Sequence, residues 1–203
     1  MDITKIFTFE GSHIVRNCTS QRCSKSVHGH SYRVEITFSA RYLDNAQMVY
    51  DFGLMKGTIK EFIDSMDHCH IISAYDSEEY IKFFQDNNDR WIMIPFNPSA
   101  EMLSVFIMRM VQFVMDHTIT NNGEDKSLKV KSVTVWETAT GRATCNEEDV
   151  NYLWTDLWIP QICFSTGVLK DWSKDLKSMF FGQEGMHSNP KVKQQINLVK
   201  PIR

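Results

Sequence analysis

Alternation of apolar and polar positions marks the first elements of the chain. Phe7, Phe9 and His13 fall on one face of an extended segment, because side chains of a strand alternate between its two sides. From His28 onward the even positions His28, His30, Tyr32, Val34, Ile36 and Phe38 share a face, with Arg33, Glu35, Thr37 and Ser39 on the other. A second strand over roughly 28–41 follows. The intervening residues 14–27 are polar and rich in turn formers, which predicts a loop returning the chain beside the first strand. Two antiparallel neighbours would bring His13 near His28 and His30. The loop would hang Cys23 beside them.

The period changes after Gly53. Met55, Ile59, Phe62, Ile63 and Met66 recur at helical spacing and predict a helix over about 53–66. Residues 73–90 are polar and are expected to form a loop with at most one helical turn. Trp91 to Phe96 reads as a short buried strand. Asn97-Pro98-Ser99-Ala100-Glu101 then opens a second helix, Asn97 capping it and Pro98 in its first turn, with Leu103, Phe106, Ile107, Met110 and Val114 as the apolar stripe. A last strand runs over about 129–138, and Val133, Val135 and Glu137 share one of its faces. A carboxylate in register with core valines needs a partner or a ligand. Beyond lie the acidic turn Glu147-Glu148-Asp149, an aromatic segment from Tyr152 to Trp158, and a basic end carrying Lys191, Lys193, Lys200 and Arg203. That end lacks apolar periodicity, leaving open a free arm or a contact with a neighbouring subunit.

These elements make an α+β fold, and 203 residues suit one domain with a sizeable core. A hydrophobic content of 42% and a charged content of 23% are those of a globular protein. The net charge of −3 gives no electrostatic reason to expect nucleic acid or an anionic membrane as partner. With no signal-peptide layout and no long apolar run, a cytoplasmic location is expected. Five cysteines, odd in number and irregularly spaced, make a poor disulfide framework and leave room for a working thiol.

The chemistry concentrates in the histidines. Three neutral imidazoles converging on one point form a metal site, and such a set suits zinc, which in catalytic centres takes three protein ligands and leaves a fourth position open. His13, His28 and His30 are the candidates. Asp67-His68 follows the first helix, and a carboxylate beside an imidazole can fix its tautomer for acid–base work.

The conjunction of Phe-Thr-Phe-Glu-Gly-Ser-His (7–13), Cys23 with His-Gly-His (28–30), Met-Val-Tyr-Asp-Phe-Gly-Leu-Met-Lys (48–56), Met-Asp-His (66–68), Asn-Pro-Ser-Ala-Glu (97–101) and Val-Trp-Glu-Thr (135–138) resembles the 6-pyruvoyl-tetrahydropterin synthase and 6-carboxy-tetrahydropterin synthase family over about residues 4–145. The resemblance implies the tunnelling fold: an antiparallel sheet with two helices on one face, closed into a barrel by oligomerisation as trimers or hexamers with active sites between subunits. It implies a synthase domain over 1–154 and says nothing of residues 155–203, which have no counterpart in compact family members and are read as a C-terminal extension of unknown role. It implies zinc on His13, His28 and His30, Cys23 as catalytic thiol, Asp67 and His68 as its acid–base partners, and Glu137 as the anchor of the pterin ring. The substrate implied is 7,8-dihydroneopterin triphosphate and the product 6-carboxy-5,6,7,8-tetrahydropterin, a queuosine precursor. The pyruvoyl reaction and a non-catalytic zinc- or pterin-binding assembly protein are the alternatives. Four residues separate Cys23 from His28, between the three usual in bacterial carboxypterin synthases and the five usual in pyruvoyl enzymes. Cys18 in place of Cys23, or Cys23 as a ligand of the resting zinc, therefore stay open.

Overall fold

The computed structural model describes residues 1–153, 159–182 and 185–199. Its centre is a hairpin of two twelve-residue strands, β1 (Asp2–His13) and β2 (His28–Ser39), antiparallel with Phe7 opposite Val34 and His13 opposite His28. The alternation expected from the sequence is realised: Phe7, Phe9, His13, Tyr32, Val34, Ile36 and Phe38 are buried, and Thr4, Thr8 and Glu10 are exposed. Gly29 is required where it stands. A Cβ there would lie 2.9 Å from the Gly11 carbonyl oxygen, so the close approach of the strands that pairs His13 with His28 depends on this glycine.

Around the hairpin the chain adds α1 (Gln21–Lys25), a 3-10 turn at Leu54–Lys56, α2 (Thr58–Ser65), β3 (Cys69–Ser73), α3 (Glu78–Asn87), β4 (Trp91–Ile94), α4 (Ala100–Asp116), β5 (Thr118–Ile119), β6 (Lys129–Trp136), β7 (Arg142–Asn146) and α5 (Glu147–Leu153). The described C-terminal residues form a 3-10 turn at Ile159–Gln161, β8 (Cys163–Phe164), α6 (Thr166–Lys170), α7 (Lys174–Phe181) and β9 (His187–Ser188). The sheet order is β7-β6-β2-β1-β3-β4-β8, antiparallel from β7 to β1 and parallel from β1 through β3 to β4. The stripes of α2 (Ile59, Phe62, Ile63) and α4 (Leu103, Phe106, Ile107, Met110, Val114) join the buried strand residues in one core.

Three differences from the expected elements have simple causes. Residues 78–87 form a ten-residue helix where a loop was expected. Ser77 caps it by accepting from Tyr80 N–H, Glu78 and Glu79 favour its positive end, and Tyr80 and Phe84, one turn apart, are its inward residues among many polar ones. The N-cap of α4 is Ser99, whose hydroxyl accepts from Met102 N–H; Asn97 lies outside the helix and bonds elsewhere. Strand β3, wholly buried, was hidden in a segment dominated by its histidines.

The C-terminal segment lies on the same core. Strand β8 pairs antiparallel with β4, and Ile162, Val168, Trp172, Leu176 and Met179 are buried. Strand β9 pairs with β5, and the adjacent Asn189 is buried, its side-chain amide donating to the Tyr50 hydroxyl at 3.0 Å.

Candidate metal centre and catalytic cavity

The strand register that pairs β1 with β2 brings His13, His28 and His30 to one point. Ring centroids are 4.5 Å apart for His13 and His28, and 5.2 Å for each of them from His30. One nitrogen from each ring lies within 4.8 Å of the others. Bonds of about 2.0–2.1 Å to one ion would draw the three nitrogens somewhat closer, to about 3.4 Å from one another in a tetrahedral arrangement. Their tautomers are set from behind. His13 Nδ1–H donates to the Pro98 carbonyl at 2.6 Å and His28 Nδ1–H to the Ser26 carbonyl at 3.0 Å, which leaves both Nε2 lone pairs free for a metal. His30 Nε2 is buried without a hydrogen-bond partner among the described residues. A buried polar atom in that state is costly unless something binds it, and a cation answers the need. Burial is also the main cause that lowers the pKa of His13 to about 4, opposed in part by the Pro98 carbonyl. The ring is thus neutral at physiological pH, as a ligand must be. The cluster is able to hold a metal ion.

Glu137, just past the end of β6, turns back onto this cluster. Its Oε1 is 3.3 Å from His13 Nε2 and 3.7 Å from His30 Nε2, and its backbone N–H donates to the Gly141 carbonyl in the turn leading to β7. Tyr32 closes the floor, its hydroxyl 3.2 Å from His13 Nδ1. Burial pushes the Tyr32 phenol well above its ordinary pKa, so it stays neutral and available for hydrogen bonding. A cavity of about 540 Å³ opens in front, with Cys23, His28, His30, Glu101, Glu137 and Arg142 in its wall.

Cys23 therefore shares a cavity with two of the imidazoles and the carboxylate. It sits on α1, within the loop expected between the first two strands, and is half-buried. Cys18 lines the same cavity, its thiol directed to the Ser20 carbonyl at 3.3 Å. Cys69 and Cys145 are different: burial is the main cause raising their thiols to about 12 and about 11, and both belong to the core.

Asp67 and His68 lie elsewhere in this chain. The Asp67 carboxylate accepts from Glu10 N–H at 2.7 Å and bonds His68 Nδ1 at 2.8 Å, while His68 N–H donates to the Glu10 carbonyl. Burial works to raise the Asp67 pKa, but the Glu10 N–H and the His68 ring outweigh it and hold the carboxyl below its usual range. His68 is a non-glycine residue in the left-handed region, φ 58°, with 76% of its side chain exposed. It lines a separate cavity of about 360 Å³ with Glu10, Ser12, Ser31 and His30. The described chain brings together His13, His28, His30, Glu137 and Cys23, and leaves Asp67 and His68 facing outward.

Sequence reasoning did not single out His70, Arg16 or Pro98 for the site. His70 is buried beneath it, bonded to the Ser12 hydroxyl and the Tyr80 hydroxyl at 2.9 Å each and stacked on Phe84 at 4.0 Å. The Pro98 contribution is a backbone carbonyl, which no side-chain pattern reveals.

The 6-pyruvoyl tetrahydropterin synthase family model matches residues 2–148. Proteins named 6-carboxy-5,6,7,8-tetrahydropterin synthase from two strains of Helicobacter pylori are each 33% identical over 201 residues, spanning 94% of this chain and 100% of the relative. The one from Aquifex aeolicus is 30% identical over 171 residues, spanning 72% and 98%. The C-terminal segment thus has a counterpart in the Helicobacter proteins. Among solved structures, the uncharacterized protein WS1659 from Wolinella succinogenes superposes with a TM-score of 0.59 at 21% identity over 72% of this chain and 98% of that one. The 6-pyruvoyl tetrahydropterin synthase of Plasmodium vivax gives 0.51 at 18% identity over 71% and 97%. The α+β tunnelling fold is shared with these structures. With the family model covering most of the chain and the Helicobacter relatives matching it nearly end to end, this chain belongs to the 6-pyruvoyl tetrahydropterin synthase family.

Proposed function

We propose that the protein is a zinc-dependent lyase that converts 7,8-dihydroneopterin triphosphate and water to 6-carboxy-5,6,7,8-tetrahydropterin, acetaldehyde and triphosphate, a cytoplasmic step toward queuosine. The observation that carries this is the imidazole triad with Glu137 at 3.3 Å and Cys23 in the wall of the same cavity. The names of the Helicobacter and Aquifex relatives favour the carboxypterin product.

Zinc on His13, His28 and His30 would supply Lewis-acid polarisation of the oxygens on the substrate's C6 side chain. Glu137 accepts hydrogen bonds from the ring nitrogens of the pterin and orients it with its side chain toward the imidazoles. Cys23 takes and returns a proton at the side-chain carbons. Asp67 and His68 act as the second proton-transfer group, in the site of a neighbouring subunit, a reading supported by the outward exposure of His68 and its place in a cavity other than the one Cys23 lines. The working form is accordingly a homo-oligomer, a trimer or hexamer. Residues 1–154 are the synthase unit and 155–203 an extension, whose buried described residues Ile162, Val168, Trp172, Leu176 and Met179 join the core of that unit.

The test is an assay of zinc-loaded protein with 7,8-dihydroneopterin triphosphate, products identified by mass, beside Cys23→Ala. Carboxypterin that disappears in the variant is the expected result. A 6-pyruvoyl product would transfer the protein to the alternative reaction, and a folded, zinc-bound parent without turnover would make it a binding protein. Mixing inactive Cys23→Ala and His68→Ala subunits should restore part of the activity. No restoration in verified mixed oligomers would contradict a site shared between subunits.

A further inference from the structure

The loop that carries Cys23 has little to hold it by packing. Helix α1 is five residues long, has no buried residue and no side-chain N-cap, and ends at Ser26 in extended backbone. Isolated helices of this length do not persist in water. Something else must fix the thiol, and the hydrogen bonds identify it.

Arg16 is at the centre. Its Nη1 donates to the Ser24 carbonyl at 3.1 Å, and the preceding Val15 N–H donates to the Cys23 carbonyl at 2.9 Å. Two consecutive carbonyls at the end of α1 are thus tied to residues 15–16. A cationic donor at a helix C-terminus is favoured by the dipole as well as by the bond. The guanidinium is itself fixed: Nε donates to Asp76 Oδ1 at 2.5 Å, with the Asp76 side chain only 4% exposed, and the group lies over the Tyr80 ring at 4.9 Å. The Arg16 backbone is fixed too. Asn97 Oδ1 accepts from Arg16 N–H at 2.9 Å and Asn97 Nδ2 donates to the Arg16 carbonyl at 2.7 Å. The next residue, Pro98, supplies the carbonyl that orients His13.

We infer that Arg16, locked by Asp76 and Asn97, is the positioning residue of Cys23, and that the 97–98 segment sets thiol and metal ligand from one support. The catalytic part of this inference rests on the proposed role of Cys23. Arginine is specifically required, because the fork must reach Asp76 with one nitrogen and Ser24 with another. Lysine could keep the charge beside Asp76 but not bridge both.

The test compares Arg16→Met, Arg16→Lys and the parent, all zinc-loaded, by amide hydrogen exchange and by steady-state kinetics. Both variants should raise exchange in residues 17–25 about tenfold or more while leaving β1 and β2 protected, since only local opening is released. Both should lower kcat about tenfold with KM within about threefold, because misplacement of a reacting group acts on the chemical step. Zinc stoichiometry should not change. Unaltered exchange over 17–25 in both variants overturns the inference whatever the activity. Faster exchange with kcat unchanged, while Cys23→Ala is inactive, overturns the positioning of the thiol and leaves the proposed function standing. A parent without turnover defeats the proposed function, and exchange then judges the clamp alone.

Discussion

The imidazole triad and the Cys23 loop bound the same cavity, and they are built by different means. The triad stands on two strands paired over their full twelve residues, with rings oriented from behind by the Pro98 and Ser26 carbonyls. The thiol stands on five helical residues without a buried side chain, held at the Cys23 and Ser24 carbonyls. The difference suits the two tasks proposed for them. A metal site requires ligand atoms fixed to fractions of an ångström, which strand register supplies, whereas a proton-transfer group works at hydrogen-bond reach and can stand on a segment that admits substrate.

The largest effects should come from dividing the two regions by mutation. His28→Ala is expected to lose metal and turnover together, activity falling by about a thousandfold or more, because metal and fixed geometry go at once. Cys23→Ala should bind metal as the parent does and lose about 10²–10⁴-fold in kcat, the range for one proton-transfer group. Elemental analysis beside kinetics separates them, and equal metal loss in both variants would erase the distinction.

That contrast also governs how legible the site was. The triad could be read because period-two alternation continues through His13, His28 and His30 into the core residues on the same faces, and Glu137 because it continues the parity of Val133 and Val135. The helices over 58–65 and 100–116 were legible from their stripes, although Gly57 breaks the first from the 3-10 turn over Leu54–Lys56, where one continuous helix over about 53–66 was expected. Helix α3 was not, since its two inward aromatics stand among acids and amides. Neither was the support of the thiol: Arg16, Asp76 and Asn97 are far apart in sequence, and the atoms that Arg16 and Asn97 hold are backbone ones, which leave no trace in periodicity. Asn97 looked like a helix cap because Asn before Pro commonly is one; the cap fell to Ser99, freeing Asn97 to hold residue 16.

Smaller perturbations sharpen the strand side. Gly29→Ala sets a methyl against the Gly11 carbonyl and should cost about 2 kcal/mol of stability, as overpacking does, with metal affinity reduced because the His13–His28 pairing is pried apart. Urea unfolding with a parallel metal titration would show it; unchanged stability would mean that the strands yield freely.

His70 tests the layer beneath the triad. Burial is the main cause lowering its pKa from 6.5 to about 4, so the unfolded chain takes up a proton that the folded chain refuses. This contribution is fully present above pH 6.5 and is lost as pH falls toward 4, amounting to about 2 kcal/mol between pH 7 and pH 5. The metal-free parent should lose that much more over this interval than metal-free His70→Gln; equal losses would show that the ring titrates normally. Ser99→Ala, the smallest change, removes the cap of α4 behind Pro98 and should cost about 1 kcal/mol by thermal unfolding.

The most direct test of the metal site is a zinc titration of metal-free protein against a chromophoric chelator, run on the parent, His30→Ala and Cys23→Ala. The imidazole triad predicts one zinc per chain in the parent, affinity reduced at least about a hundredfold in His30→Ala, and no change in Cys23→Ala. Zinc bound as weakly by Cys23→Ala as by His30→Ala would make the thiol a ligand and contradict the division between a strand-borne metal centre and a loop-borne thiol.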